Sequence, residues 1–468
     1  MSHLTSFQRK IAYLVGIVLL LPLIIWLGRP ATKANEVGSG GQLADMREEY
    51  QLGEASLGNV DPSSSTMKLL LLGFRGFATN LLWQQAIEER EQKQWGALHN
   101  TVNSIIMLQP HYIKVWDFQG WNLAYNVSAE WDNVPDRWYW VKEGGKFFMR
   151  GTKRNDKNAK LTHKTGQLLA QKVGRSDEHD FFRDYFLDDP NDELFGDNPD
   201  PEFNRGYDEF DPYGDNYLAA RDWFIEANRR ETSYPQSSLG LQRELFRSYP
   251  AHSYLEMASA LQREGQFGAK SRQAWLNGHQ AWTQDFGMES FPSSIGNYHL
   301  EITDPDEYAQ IARRNSEELG RTITAEMVQD LVTRRQNTVN YPYWRTRSLV
   351  EMQSTTVQAH RDIYEGQQLY KEGKRKEASE KILAGLEGLE SIFNNEDFED
   401  FKNDDLITEE ILMAMLYLQS INALQTGVEK LPPETPLYEE LWEPIQDQPV
   451  MQDLQRRFRR ETGLTGAS

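Results

Sequence analysis

The sequence contains no cysteine. That absence removes disulfides, thiolate metal sites, thioether-linked haem and cysteine nucleophiles together, and it suits an oxidising compartment. Basic charge is also short: 50 Lys and Arg face 70 Asp and Glu, for a net charge of −20. A field of that sign repels phosphate backbones and excludes nucleic acid as a general partner. No G-x-S-x-G elbow, no G-x-x-x-x-G-K-[ST] loop and no H-E-x-x-H helix occurs, and the nine His are scattered. Glu178-His179-Asp180 is the nearest approach to a cluster. Adjacent helix positions point in different directions, so it reads as surface charge rather than a metal site. Strand signals are scarce before FPSSIGNYHLEI, 291–302, which reads as a short hairpin or an irregular loop.

What is present begins with one long apolar run. Ile11 to Gly28 is uncharged throughout and as a helix would cover about 27 Å, enough for a hydrocarbon core. Signal peptides have shorter apolar stretches and a small-x-small cleavage site, which Thr32-Lys33-Ala34 imitates poorly. The run is therefore expected to be an uncleaved anchor. Arg9 and Lys10 before it, against Arg29 and Lys33 after it, lean towards a cytoplasmic N-terminus and an exported remainder. The expected location is the inner membrane, crossed once through residues 11–28, with the bulk of the chain periplasmic.

Aromatics are plentiful, at 12% with 13 Trp, and they recur at a period. Leu82-Trp83-Gln84-Gln85-Ala86 returns as Trp116-Asp117-Phe118-Gln119-Gly120, so Ala86 and Gly120 stand one tetratricopeptide length apart. Pro110 lies ten residues before Gly120, where one unit should meet the next; Asp156 precedes Gly166, and Pro250 precedes Ala260, by the same step. The closest match is EGQQLYKEGKRKEASEKILAGLEGL, in which Gly366, Ala378 and Ile382 occupy repeat positions. Small residues at these places let paired helices approach, and large ones such as Trp116 fill the gaps beside them. Most of the aromatic string Trp116, Phe118, Trp121, Tyr125 is accordingly packing. Trp121, Trp138 and Trp140 are candidates for an exposed groove, and with Trp344 they decide between ligand stacking and burial. The spacing from Gly120 to Gly166 exceeds one unit by twelve residues, which places an insertion near 126–137.

These segments, with LLGFRGFATNLLW, LQPHYIKVWDFQGWNLAYNVS, RWYWVKEGGKFF, QKVGRSDEHDFFRDYF, FGAKSRQAW and NYPYWRTR, resemble a group of membrane-anchored tetratricopeptide-like proteins from planctomycete bacteria. The resemblance spans about 67–390. It implies helical repeats in the cell envelope and carries no activity to transfer. Leu98 stands where a small residue is usual and Thr162 where an aromatic is usual, so the first and third units are degenerate.

The expected fold is all-α: a transmembrane helix followed by a degenerate tetratricopeptide-like α-solenoid with an acidic loop insertion. The divisions are tail and anchor (1–28), flexible tether (29–66), N-terminal repeats (67–175), acidic insertion (176–215), central helical region (216–300), C-terminal helical region (301–430) with a unit near 359–392, and Pro-containing linker with basic tail (431–468). Met67 to Leu72 reads as the first packed helix or an N-terminal cap of the array, with a segment lying on the bilayer surface as the alternative. The insertion carries fifteen acidic residues against Arg183 and Arg205. It reads as a solvated loop; Ca²⁺ would suit its carboxylates, but no register of the calcium-loop pattern places its Gly. The tail, with Arg456, Arg457, Arg459 and Arg460, reads as a solvated end. The function expected is a non-catalytic scaffold for envelope proteins, without a cofactor or a resident metal. The alternative is a polysaccharide-binding module or hydrolase using exposed Trp and carboxylates.

Overall fold

A computed structural model describes residues 75–191, 214–235, 242–395 and 404–463, with Phe203, Phe398, Phe401 and positions 10, 15, 16, 18–20 and 22. The described chain is mostly helical, with a single two-stranded sheet. Within the expected anchor, Val15, Val18, Leu19 and Leu20 are helical and exposed; most of Ile11–Gly28 lies outside the described residues, as do the tether, Met67–Leu72 and most of the acidic insertion. Among the described residues no helix is long and apolar enough to cross a membrane. The chain divides into two compact units, Met1–Thr165 with Glu226–Ser237, and Gly166–Ile225 with Ser238–Ser468.

The first unit is built from helix pairs. Helix α1 (Arg75–Glu91) folds back onto α2 (Trp95–Leu108) across a turn in which Lys93 has φ 56°. Their contact buries Ala86 with Leu98, Val102 and Ile105. Helix α3 (Ile113–Trp121) then packs on α4 (Val134–Arg154) through small residues. A Cβ at Gly120 would lie 2.8 Å from the Phe148 ring, and one at Gly144 only 2.7 Å from the Gly120 carbonyl. Those distances are below van der Waals contact, so only glycine allows this crossing. Trp116 is buried beside it, and its indole N–H donates to the Pro110 carbonyl at 2.8 Å.

The expected insertion near 126–137 is corrected. Helix α3 runs on through a π-helical turn, Asn122–Val127, and a 3₁₀ turn, Ser128–Glu130, leaving three residues before α4. The extra residues lengthen the two helices instead of looping out. The reason is on α4, where Trp138, Val141, Phe148 and Gly151 hold an apolar stripe at helical spacing along its whole length. The C-terminal end of α4 leaves carbonyls without helical partners. Arg230 reaches them: its guanidinium donates to Thr152 O at 3.1 Å and to Thr162 Oγ1 at 2.8 Å. Thr162 is thus a hydrogen-bonding partner of a buried arginine, a job an aromatic there would not do.

In the second unit the residues of α5 (Ala159–Gln167) from Gly166 onward continue into a π-helical turn, Leu168–Val173. Gly166 presses on α7 (Asn216–Ser233), where its Cβ would fall 2.7 Å from the Phe224 ring. In sequence α6 (His179–Leu187) comes between them. Helices α8 (Arg243–Arg263) and α9 (Ala269–Gln280) pair, with Ala260 buried and Gly278 set against Leu255. Pro250 sits inside α8 and not at a unit boundary. It lacks the N–H that would pair with the Phe246 carbonyl, but Phe246, Ala251, Tyr254 and Leu255 are buried on both sides of it and hold the helix together. A π-helical turn, Ala281–Phe286, comes after α9. Strands β1 (Phe291–Ser293) and β2 (Gly296–Tyr298) form the hairpin, pairing Phe291 with Tyr298. Helices α10 (Asp306–Leu319), α11 (Ala325–Val339) and α12 (Tyr341–Glu351) lead to a closely packed pair, α13 (Ser354–Lys371) and α14 (Arg375–Phe393). Here a Cβ at Gly366 would meet Ile382 Cγ1 at 2.5 Å and the Ala378 carbonyl at 3.0 Å, while one at Gly385 would meet the Ala359 carbonyl at 2.7 Å. Gly373, at φ 82°, turns the chain between them in a conformation that side chains rarely adopt.

Helix α15 (Asp405–Thr426) packs on α14 and on α16 (Pro449–Thr462). The basic tail is therefore corrected as well. Met451, Leu454 and Phe458 lie on one face and are buried, Phe458 standing 4.9 Å from Tyr417. The arginines occupy the other faces, with Arg457 paired to Glu409.

Candidate functional site

A cleft of about 510 Å³ opens in the first unit among α2, α3 and α4. Its walls are aromatic: Trp95 from α2, with Tyr139 and Trp140 from α4, all half-buried. Trp140 is backed by Trp131, nearly parallel at 6.4 Å, and met edge-on by Tyr139 at 5.2 Å. The rim carries charge of both signs, from Glu143 and from Arg150, whose guanidinium lies 5.4 Å from the Phe147 ring centroid.

The floor is polar and buried. Gln119 and Asn122 both line the cleft, and each is only 1% exposed. Asn122 Oδ1 accepts from Asn126 at 2.8 Å, but its Nδ2 has no hydrogen-bond partner, and neither does Gln119 Oε1. Buried polar atoms without partners cost about 1–3 kcal/mol each, and both of these belong to residues that line the cleft. Their position comes from the backbone: Gln119 precedes the close-packing Gly120, and Asn122 opens the π-helical turn, which inserts a residue and re-aims the side chains beyond it. The same arrangement recurs, since the π-helical turns Leu168–Val173 and Ala281–Phe286 each begin two or three residues after Gly166 or Gly278.

The three groove candidates separate. Trp140 lines the cleft. Trp138 does not: it is fully buried, because two positions along α4 turn it to the core while Trp140 faces out. Trp121 is 48% exposed and stacks on Tyr125 at 5.0 Å outside the cleft. Trp116, Ala86, Ala260 and Ala378 are buried between helices, as is Ile382. Trp95, Gln119 and Asn122 are site residues that repeat spacing does not single out. The one signal available is Gln119 itself, a polar residue on the stripe Trp116, Gly120, Leu123, Val127 that otherwise packs.

The second unit holds a smaller cleft of about 280 Å³. Arg175 reaches Glu256 at 3.0 Å, and His252 lies 3.4 Å from the same carboxylate and edge-on to Trp344 at 4.5 Å. Burial, with Arg175 and Arg347 nearby, lowers the His252 pKa against the pull of Glu256, which favours the neutral ring. Close by, Arg347 pairs with Glu351 and Asp404, and His360 lies between Glu351 at 3.2 Å and Glu410 at 2.8 Å. Burial opposes the His360 charge, yet the two carboxylates hold its pKa well above the ordinary value. A third buried cation, Arg183, is held by Asp215 and Glu264 and donates to Asn216. Every one of these charges has a partner within the core, so they read as fastenings. Within the acidic insertion His179 pairs with Asp180 at 3.0 Å, and among the described residues no cluster of His, Asp and Glu could hold a metal ion.

No family model, curated protein or solved structure matches the chain.

Proposed function

We propose that the protein is a non-catalytic, membrane-anchored helical scaffold whose paired helices, stacked as a degenerate tetratricopeptide-like solenoid, hold partners in the bacterial cell envelope. The observation that carries this reading is the first-unit cleft, an aromatic-walled space lined by two buried carboxamide side chains that each keep one atom without a partner. Carboxamides do not titrate, so the groups placed deepest recognise a ligand rather than move a proton. The uncharged run 11–28 supports anchoring, with the N-terminus cytoplasmic and the remainder periplasmic. A net charge of −20 favours neutral or basic partners over nucleic acid.

Proximity labelling from an enzyme fused to the C-terminus tests this. The expected labelled set is envelope proteins, enriched over a fusion carrying residues 1–66 alone. A set dominated by cytoplasmic proteins, or one identical to that control, would reject both the topology and the scaffold role.

A further inference from the structure

We infer that the first-unit cleft is a saccharide site that takes a short, uncharged glycan segment. This names the ligand of the cleft on which the scaffold reading rests. The unpartnered atoms on its floor are one acceptor, Gln119 Oε1, and one donor, Asn122 Nδ2. Gln119 and Asn122 stand three residues apart on one continuous helical stretch, and both residues line the cleft. A hydroxyl donates and accepts at once, so neighbouring hydroxyls of one sugar ring satisfy both carboxamides whichever way each amide is turned. Above them Trp95, Tyr139 and Trp140 are half-buried, presenting apolar rings against which the C–H face of a pyranose packs. Glu143 and Arg150 contribute one charge of each sign, so the cleft does not select an ion, and the acidic chain as a whole repels anionic ligands.

The dimensions agree. A volume of about 510 Å³ falls in the range of small-ligand sites. An amphipathic helix needs an apolar groove, and here the floor is polar. An extended peptide would also meet the two amides, and the experiment separates it from a sugar.

The full chain in detergent is titrated calorimetrically with chitotriose, cellotriose, maltotriose and xylotriose, and with a mixture of uncharged hexapeptides. At least one trisaccharide is expected to bind saturably. Gln119→Leu/Asn122→Leu should weaken that binding about tenfold or more, as should Trp140→Ala, while Trp121→Ala, outside the cleft, leaves it unchanged. The double variant removes two unpartnered buried atoms but also the acceptor of the Asn126 amide, so its urea midpoint is measured beside the parent's and binding is compared only under conditions where both are folded. No saturable binding of any trisaccharide up to about 10 mM, binding indifferent to the double variant, or saturable binding of hexapeptides alone would each overturn the assignment. Proximity labelling of the double variant separates this from the scaffold reading. An unchanged envelope set leaves the scaffold standing when the sugar fails, and loss of that set without any sugar binding sinks the saccharide and leaves a protein occupant.

Discussion

Replacing glycine by alanine should change sign with position, and the structure gives the size of each effect. In a helix interior alanine is favoured over glycine by about 1 kcal/mol. At Gly96, the second residue of α2, a new Cβ meets nothing within 4 Å, so Gly96→Ala should stabilise by part of that amount, about 0.5 kcal/mol. At Gly366 the same Cβ would sit 2.5 Å from Ile382 Cγ1 and 3.0 Å from the Ala378 carbonyl. Carbon atoms rest about 3.5–4.0 Å apart, so the pair must separate along its length, an overpacking cost of about 1–3 kcal/mol that outweighs the propensity gain. Gly366→Ala is therefore expected to lose about 1–2 kcal/mol net. Adding Ile382→Ala would not restore it, since the carbonyl contact stays and a cavity is opened. Urea unfolding followed by far-ultraviolet circular dichroism, comparing midpoints at equal slope, measures all three. If Gly366→Ala were as stabilising as Gly96→Ala, the close crossing of α13 and α14 would be wrong.

His163 and His360 should contribute to stability with opposite pH responses. Burial, with Lys164 beside it, lowers the His163 pKa to about 3. The unfolded chain takes up this proton below about pH 6.5 and the folded first unit does not, so its stability should fall as pH drops, by about 3 kcal/mol at pH 4; His163→Gln should flatten that acid limb. The raised His360 works the other way, its contribution complete below about pH 6.5 and lost as pH climbs through the folded value, which a His360→Gln comparison between pH 6 and 9 would reveal. Arg347→Met leaves Asp404 buried without its cation and Glu351 with His360 alone and should cost about 3 kcal/mol in urea unfolding. Phe458→Ala should cost about 3–5 kcal/mol, with protease release of α16 as its readout; a solvated tail would show no change.

How much of this is legible in the sequence depends on what each residue does. Close crossings leave a local trace, because only small residues admit a neighbouring backbone and because they recur at a measurable interval; Gly120, Gly166 and Gly366 are all of this kind. The lengthened α3 and α4 are harder to read, since a π-helical turn changes the register without any marker residue. Pro250 misleads for the reverse reason: a conventional helix breaker is carried inside α8 by packing on both sides. The arginine-rich tail hides an apolar face of three residues, Met451, Leu454 and Phe458. The cleft is the least legible feature. Its floor is two ordinary amides, and their burial comes from two other helices that spacing along one helix does not reveal.

The most direct measurement is the side-chain amide NMR spectrum of selectively labelled chain, with and without a soluble envelope glycan fraction. The resonances of Gln119 and Asn122 should move on addition, while that of Asn158, whose side-chain oxygen already accepts from the Leu161 N–H at 2.8 Å, stays in place. If neither Gln119 nor Asn122 responds, or if Asn158 moves equally, the cleft is not where this protein meets its ligand.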